Sequence, residues 1–145
     1  MEIISPAKPG KSLMVGINRL AAQLGDTAHA VSVDRISRII DSENIHLLVA
    51  VDQGVVLGML TLVLYLIPTA TRAVIEDVVV DSSARGRGVG RALVHRALVR
   101  AEALGADTVA LTSAPWRDAA NRLYSRMGFE KRETNVYRYV LRRDG

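Results

Sequence analysis

The sequence predicts an α/β protein of the α+β kind, in which a mixed sheet of about six or seven strands is flanked by about four helices. Three observations support this fold class. Apolar residues recur at helical spacing near both ends of the chain, the middle is rich in β-branched residues, and helical stretches separate only the later strands. The 145 residues have the size of one domain, so we expect a single domain over residues 1–145.

The first half of the chain predicts two helices followed by three strands. Apolar side chains recur at helical spacing from Leu13 to Leu24, and Gly25 ends that helix. The turn residues Asp52-Gln53-Gly54 separate two strongly apolar stretches, as in a β-hairpin. The predicted elements are helices over 13–24 and 33–40 and strands over 47–51, 55–67 and 72–80.

The second half of the chain alternates helices with strands. Gly105 stands where a glycine closes a helix, and Gly128 ends the helix after it. Pro115 marks the start of that later helix, and Trp116 is expected to be a packed residue there. The predicted elements are a helix over 89–104, a strand over 108–112, a helix over 115–127, and closing strands over 129–131 and 136–141.

Composition excludes several classes of protein. Hydrophobic residues make up 49% of the chain and charged residues 23%, which argues against disorder as its main state. The longest apolar run, Val55 to Pro68, is interrupted by Gly58 and Thr61 and is too short for a membrane span. The first ten residues lack the basic-then-apolar pattern of an export signal, so we expect a cytoplasmic protein with no membrane partner.

Two residue types bear on the possible chemistry. Cysteine is absent, which excludes disulfides, thiolate metal sites and a cysteine nucleophile. His29, His46 and His95 are scattered without metal-ligand spacing. We therefore predict no metal site and interpret these histidines as structural or solvent-exposed.

The net charge of +4 is concentrated in two blocks. Residues 1–83 are net −3, whereas residues 84–100 carry five basic and no acidic side chains, and residues 116–145 are net +4. Only 4% of the residues are aromatic, so the stacking platforms of a general nucleic-acid binder are scarce. A localised phosphate site fits this map better than a nucleic-acid groove, and we expect no nucleic-acid partner.

The most informative stretch runs from Val78 to Arg91 and has the order strand, short loop, glycine-rich turn, helix. Glycines let backbone N–H groups approach an anion closely, and the helix start adds the positive end of its dipole. The spacing fits neither a nucleotide-binding P-loop nor a dinucleotide fingerprint, and the structural alternative is a tight turn with exposed arginines. We predict a pyrophosphate site built on three glycines and three arginines, namely Gly86, Gly88, Gly90, Arg85, Arg87 and Arg91.

Two motifs resemble the GNAT superfamily of N-acetyltransferases. Arg85-Gly86-Arg87-Gly88-Val89-Gly90 is similar to the family's acetyl-CoA pyrophosphate loop, which reads Arg or Gln, any two residues, Gly, any residue, Gly or Ala. Asn121-Arg122-Leu123-Tyr124-Ser125-Arg126-Met127-Gly128-Phe129 resembles the family's C-terminal motif, an Asn and a Tyr on a helix followed by Gly-Phe. The resemblance covers the C-terminal two thirds of the chain, and it implies a GNAT-like fold with acetyl-CoA as co-substrate.

A narrower resemblance concerns the strand before this loop. The stretch Ile75 to Gly90 is similar to the corresponding part of glucosamine-6-phosphate N-acetyltransferases. The similarity ends after the loop helix, because Trp116 to Asn121 differ from the pattern of that group. Its sugar-phosphate substrate is therefore not carried over.

The GNAT resemblance implies roles for residues outside the loop. Tyr124 would be the general acid near the coenzyme sulfur, with a buried structural tyrosine as the alternative. Asn121 would contact the pantetheine or phosphate region, with a solvent-facing helix residue as the alternative. The strand before the loop would splay from residues 108–112 and bind the pantetheine arm through the backbone of Val78, Val79 and Val80.

Glu76 is the candidate general base, directly or through a water, because it lies on the strand expected to face the acetyl group. Strict alternation puts Glu76 on the side of Val78 and Val80, opposite its neighbours in sequence. A carboxylate in an apolar strand is costly unless it is used or paired, and the structural alternative is pairing with an arginine, such as Arg72 or one of the basic C-terminal block. Asp77 is the rival for this role, or an orienting or substrate-binding group.

Together these features predict an acetyl-CoA-dependent N-acetyltransferase that acts on the primary amine of a small molecule by direct attack in a ternary complex. The absence of cysteine removes a thiol-bound acyl intermediate. The alternatives are a protein N-terminal or lysine acetyltransferase and a non-catalytic acyl-CoA-binding sensor. The resemblance makes a homodimer plausible, and Thr134–Tyr139 fits strand pairing, substrate contact or a dimer interface, with Tyr137 and Tyr139 on one face.

Overall fold

A computed structural model describes residues 1–25 and 30–142 of the chain. The backbone forms two compact units, Met1–Thr112 and Ser113–Gly145, and each is described by itself. His29 lies outside the described residues, so its predicted role stays a prediction. Within the described ranges, no helix is both long enough and apolar enough to cross a membrane.

The first unit contains a mixed sheet in the strand order β1-β2-β3-β4-β5, with antiparallel neighbours except for the parallel pair of β4 and β5. This arrangement confirms the predicted mixed sheet flanked by helices, with five strands among the described residues instead of six or seven. The strands are β1 (Glu2–Ile4), β2 (Ile45–Asp52), β3 (Val55–Ile67), β4 (Ala70–Val80) and β5 (Thr108–Ala110). The helices are α1 (Lys11–Gln23), α2 (Val33–Asp41) and α3 (Val89–Ala103) in the first unit and α4 (Asp118–Arg126) in the second.

Helices cover both faces of the sheet. Met59 of β3 belongs to an apolar cluster that it forms with residues of α1 and α2. A Cβ atom at the preceding residue, Gly58, would lie 3.1 Å from side-chain carbons of both Val89 and Leu93 in α3. Because successive strand residues point to opposite faces, α3 packs on the face opposite α1 and α2. A glycine at position 58 therefore lets the first turn of α3 sit close against the sheet.

The local turn chemistry agrees with the sequence. Gln53 and Gly54 both have positive φ, 49° and 78°, as a two-residue type I′ hairpin turn requires. Gly105 closes α3 with a φ of 85°, its N–H donating to the Glu102 carbonyl at 3.1 Å. The next N–H, of Ala106, donates to the Ala101 carbonyl at 3.0 Å, which completes a Schellman motif.

One strand was missed by the sequence predictions, and two of those predictions are wrong. The strand β1 was not predicted, because three residues are too few to show a period-2 pattern. The predicted closing strands over 129–131 and 136–141 are not formed among the described residues, although their composition favours strands, because a strand also needs a backbone partner. Trp116 precedes α4 and is 81% exposed, so it is not packed at the helix start.

The two described histidines lie in the first unit. His46 Nδ1 lies 3.4 Å from Nη1 of Arg100, and burial, followed by this guanidinium, lowers the pKa of His46. His95 is exposed on α3. Both positions agree with the structural or solvent-exposed interpretation.

Candidate active site

The glycine-rich turn lies between the end of β4 and the start of α3. A short 3-10 turn, Ser82–Ala84, follows the strand and leads into the predicted anion loop. Gly86 and Gly88 have φ values of 79° and 78°, a backbone conformation that residues other than glycine rarely adopt. Apart from the adjacent residues, no atom of the described part of the chain lies within 4 Å of a Cβ built at either glycine, so the backbone of the turn is open on that side.

The N-terminus of α3 fits an anion. Its first hydrogen bond runs from the Ala92 N–H to the Gly88 carbonyl at 3.0 Å. The N–H groups of Val89, Gly90 and Arg91 therefore have no acceptor within the helix, and Gly88 has no side chain to cap them. These N–H groups and the helix dipole favour a phosphate at this position.

Arginine side chains surround the same turn. Arg85, Arg87 and Arg91 are all exposed, so their guanidinium groups can reach a ligand at the surface. Arg87 Nη2 lies 3.4 Å from Oδ2 of Asp52 in the β2–β3 turn. The open glycine backbone, the uncapped helix start and these cations together fit a pyrophosphate group.

Asp81 holds the start of the loop and was not predicted as a site residue. Its carboxylate is largely buried and accepts hydrogen bonds from the Ser83 N–H at 3.2 Å, from the Ser83 hydroxyl, and from Gln23 Nε2 at 2.8 Å. Arg19 Nε lies 3.4 Å from Oδ1 of the same carboxylate. The Ser83 hydroxyl, followed by Gln23, lowers the pKa of Asp81 to about 2, so the group is ionised at neutral pH.

The sequence carried a local signal for part of this network. An Asp that precedes two serines at the end of a strand is typical of a turn-capping residue. No signal in the sequence connects Asp81 with Gln23, which lies in the last turn of α1. This contact depends on the packing of α1 against the sheet.

A β-bulge changes the predicted faces of β4. Thr61 pairs with Glu76 and Met59 with Val79, so β4 has one more residue than β3 over this interval. Asp77 lies within the bulge and has a φ of 53°. Met59 and Thr61 are two residues apart on β3 and therefore lie on the same face of the sheet. Directly paired residues share a face, so their partners Val79 and Glu76 lie on that face as well. The predicted grouping with Val78 and Val80 is wrong, since strict alternation ends at the bulge.

The two acidic residues of the bulge are both exposed. Among the described residues, neither Glu76 nor Asp77 takes part in an ion pair, so the predicted alternative of an Arg72 partner is not seen there. The cost of burying an unpaired carboxylate does not arise for an exposed group. Glu76 is thus available to a ligand at this face of the strand.

The parallel pairing of β4 and β5 is short. It covers Arg72–Val74 and Thr108–Ala110. From Ile75 to Val80, β4 pairs only with β3 among the described residues. The backbone of Val78–Val80 on the β5 side therefore has no strand partner in the described part of the first unit, as the predicted splayed strand requires.

The second unit carries Tyr124 and Asn121 on α4. Gly128 ends this helix with a φ of 99°, and the Phe129 N–H donates to the Tyr124 carbonyl at 3.0 Å. This Schellman motif places the Phe129 ring edge-on to the Tyr124 ring, with centroids 5.8 Å apart. Burial raises the pKa of Tyr124 above 10.0, while nearby Arg117 opposes the shift. Asn121 Nδ2 donates to the Ala114 carbonyl at 3.0 Å, an internal contact.

Comparison with known proteins identifies the family. The sequence model described as the acetyltransferase (GNAT) family matches residues 18–129, more than half of the chain. A stretch of 61 residues is 38% identical to an uncharacterized N-acetyltransferase of Methanocaldococcus jannaschii and covers 42% of this chain but only 27% of that relative.

Two solved structures show the same fold. An acetyltransferase of Trypanosoma brucei has a TM-score of 0.79 at 25% identity, over 96% of this chain and 99% of that chain. An aminoglycoside acetyltransferase from an uncultured soil metagenomic sample, crystallised with sisomicin, has a TM-score of 0.84 at 17% identity, over 97% and 96% of the two chains. With the family match over residues 18–129, these similarities establish that the chain belongs to the GNAT family of acetyltransferases.

Proposed function

We propose that this GNAT acetyltransferase transfers the acetyl group of acetyl-CoA to the primary amine of a small molecule, by direct attack in a ternary complex. One observation carries the proposal. The turn between β4 and α3 combines open glycine backbone, an uncapped helix start and exposed arginines. That combination suits the pyrophosphate of a coenzyme better than it suits a sequence-general polyanion site.

Coenzyme binding is assigned to the two ends of this turn. The N–H groups of the α3 start and the side chains of Arg85, Arg87 and Arg91 would bind the pyrophosphate. The unpaired side of Val78–Val80 would hydrogen-bond the pantetheine arm as an added strand does. Asn121 would contribute a further polar contact to the coenzyme, in exchange for its contact with the Ala114 carbonyl.

The chemistry is a single acyl transfer. The neutral amine nitrogen attacks the thioester carbon, an N–C bond forms, and the C–S bond breaks. The proton lost by the amine passes to Glu76, directly or through a water, and Tyr124 donates a proton to the departing sulfur. The raised pKa of Tyr124 keeps its phenol protonated at neutral pH, as a general acid must be. The chain has no cysteine, so a cysteine-bound acyl intermediate has no place in this route.

The acceptor class is the part that most needs testing. The similarity of residues 75–90 to glucosamine-6-phosphate N-acetyltransferases favours a small molecule over a protein N-terminus or lysine. The competing non-catalytic role, an acyl-CoA sensor, would retain the loop but would not need Glu76 or Tyr124.

The test is a panel of primary amines incubated with acetyl-CoA, with release of free thiol as the readout. Amino sugars, amino acids, polyamines and peptides with free N-termini or lysines form the panel, and Tyr124→Phe is the matched control. We expect thiol release with one class of small amines and much less with the control. Binding of coenzyme A without thiol release from any amine would favour the sensor, and release with peptides alone would favour a protein acceptor.

A further inference from the structure

The loop that carries the candidate pyrophosphate site is held at its start by a helix from the other end of the first unit. Gln23 in the last turn of α1 makes two hydrogen bonds there: its Nε2 donates to Asp81 at 2.8 Å, and its Oε1 accepts from the Ser82 N–H at 3.1 Å. The side-chain amide of Gln23 thus bridges the carboxylate of Asp81 and the backbone N–H of the next residue, Ser82.

Asp81 completes this arrangement from the loop side. It also accepts from the Ser83 N–H and hydroxyl, and its own N–H donates to the Leu57 carbonyl of β3 at 2.8 Å. Arg19 lies 3.4 Å from the carboxylate and also donates to the Val56 carbonyl. Two helix side chains and the β3 backbone therefore fix the residue from which the exposed loop departs.

We propose that Asp81 is a positioning residue for the coenzyme loop, and that Gln23 of α1 sets the loop geometry through it. The inference rests on the proposed binding of acetyl-CoA to residues 85–91. The loop itself is exposed and glycine-rich, so its geometry depends on the fixed residues at its two ends. Val89, which is buried, fixes the far end, and Asp81 fixes the near end.

The hydrogen-bond polarity of the pair provides a sharp test. Gln23→Glu places a carboxylate against the Asp81 carboxylate, so two acceptors face each other. In Asp81→Asn, the one remaining side-chain oxygen can accept from Ser83, but the new amide NH₂ group then faces the NH₂ group of Gln23, so two donors face each other. The double variant Gln23→Glu/Asp81→Asn restores the match, because the new carboxylate can accept from both the Asn amide and the Ser82 N–H. It also keeps one negative charge near Arg19.

The experiment measures the dissociation constant of coenzyme A by calorimetry, together with kcat and the KM for acetyl-CoA. Each single variant should raise the KM and the dissociation constant roughly tenfold, the loss expected for a disrupted hydrogen bond to a charged group, with kcat at saturation unchanged. The double variant should return to within about twofold of the parent. Ala22→Glu, which adds a carboxylate at an exposed neighbour of Gln23, is the matched control and should leave coenzyme binding unchanged.

Thermal unfolding by circular dichroism separates positioning from stability alone. Single variants that lower Tm but bind coenzyme A like the parent, or a double variant as impaired as the singles, would overturn the positioning role. If the parent fails to bind coenzyme A, or Arg87→Glu binds as tightly as the parent, the proposed function fails and the inference fails with it. Tight parental binding that is lost in Arg87→Glu but kept in the network variants overturns the inference alone.

Discussion

Arg87 Nη2 lies 3.4 Å from Asp52 Oδ2, so an arginine of the candidate pyrophosphate loop is paired with a carboxylate of the β2–β3 turn. Both side chains are well exposed, at 54% and 36%, and an ion pair of this kind is worth at most about 1 kcal/mol. A phosphate can accept charge-assisted, bidentate hydrogen bonds from the same guanidinium group. A coenzyme can therefore displace Asp52 from Arg87 at small cost.

Charge reversal at Arg87 tests the loop directly. Arg87→Glu places a carboxylate beside the phosphate position, and we expect the affinity for coenzyme A to fall more than about tenfold. Asp52→Asn removes the competing partner and should raise the affinity by no more than about fivefold, the equivalent of an exposed ion pair. Calorimetric titration with coenzyme A measures both. An unchanged affinity in Arg87→Glu would overturn the pyrophosphate site at this loop and, with it, the proposed function.

Replacing Tyr124 tests the proposed general acid. Tyr124→Phe removes the hydroxyl but retains the ring that packs against Phe129, so the local structure should persist. We expect kcat to fall by about 10²-fold or more while the affinity for coenzyme A stays unchanged. Because burial raises the pKa of Tyr124, its deprotonation should add no basic limb to the parental rate profile near neutral pH. Full activity of the variant would refute the role.

The features that could be predicted from sequence are local. Gly105 and Gly128 end their helices as predicted, because the left-handed C′ position selects glycine whatever the rest of the chain does. The turn before α3 was predictable for a related reason, because its glycines adopt the positive φ values that other residues avoid. The two family motifs lie at these glycine positions, so the same residues predicted both the fold class and the loop.

The features that were missed depend on partners distant in sequence. The bulge at Asp77 arises from the register between β3 and β4, which strict alternation within one strand cannot show. The contact of Gln23 with Asp81 joins positions 58 residues apart. The closing strands over 129–131 and 136–141 were inferred from composition alone, which says nothing about a backbone partner.

Glutamine at position 76 tests the candidate base. We expect Glu76→Gln to remove or shift the acidic limb of the pH–rate profile, because an amide cannot accept the amine proton. Asp77→Asn is the matched control, since it neutralises the neighbouring exposed carboxylate and Asn tolerates positive φ. Steady-state rates from acidic to neutral pH give both profiles. If the limb moves in the control and not in Glu76→Gln, Asp77 is the base instead.

The backbone of the bulge can be tested without any activity measurement. At a φ of 53°, a β-branched residue is strained, so Asp77→Val should lower the free energy of unfolding by about 1–2 kcal/mol. Asp77→Gly adopts this φ without strain and should not show this loss. Urea titrations followed by circular dichroism compare the two. Equal stability of the Val and Gly variants would contradict the left-handed conformation at Asp77.

The low pKa of Asp81 predicts a specific dependence of stability on pH. The Ser83 hydroxyl, followed by Gln23, lowers the pKa of Asp81 in the folded protein to about 2 from 3.8. A depressed pKa means that the folded state favours the ionised form, so this stabilisation is present above pH 3.8 and is lost as pH falls toward about 2. The difference in unfolding free energy between the parent and Asp81→Asn should therefore be largest above pH 3.8 and shrink below it.

Ser83→Ala, which removes the first of these hydrogen bonds, should show the same trend with a smaller amplitude. Urea unfolding at a series of pH values measures it, and a difference that does not vary with pH would contradict the buried, hydrogen-bonded carboxylate.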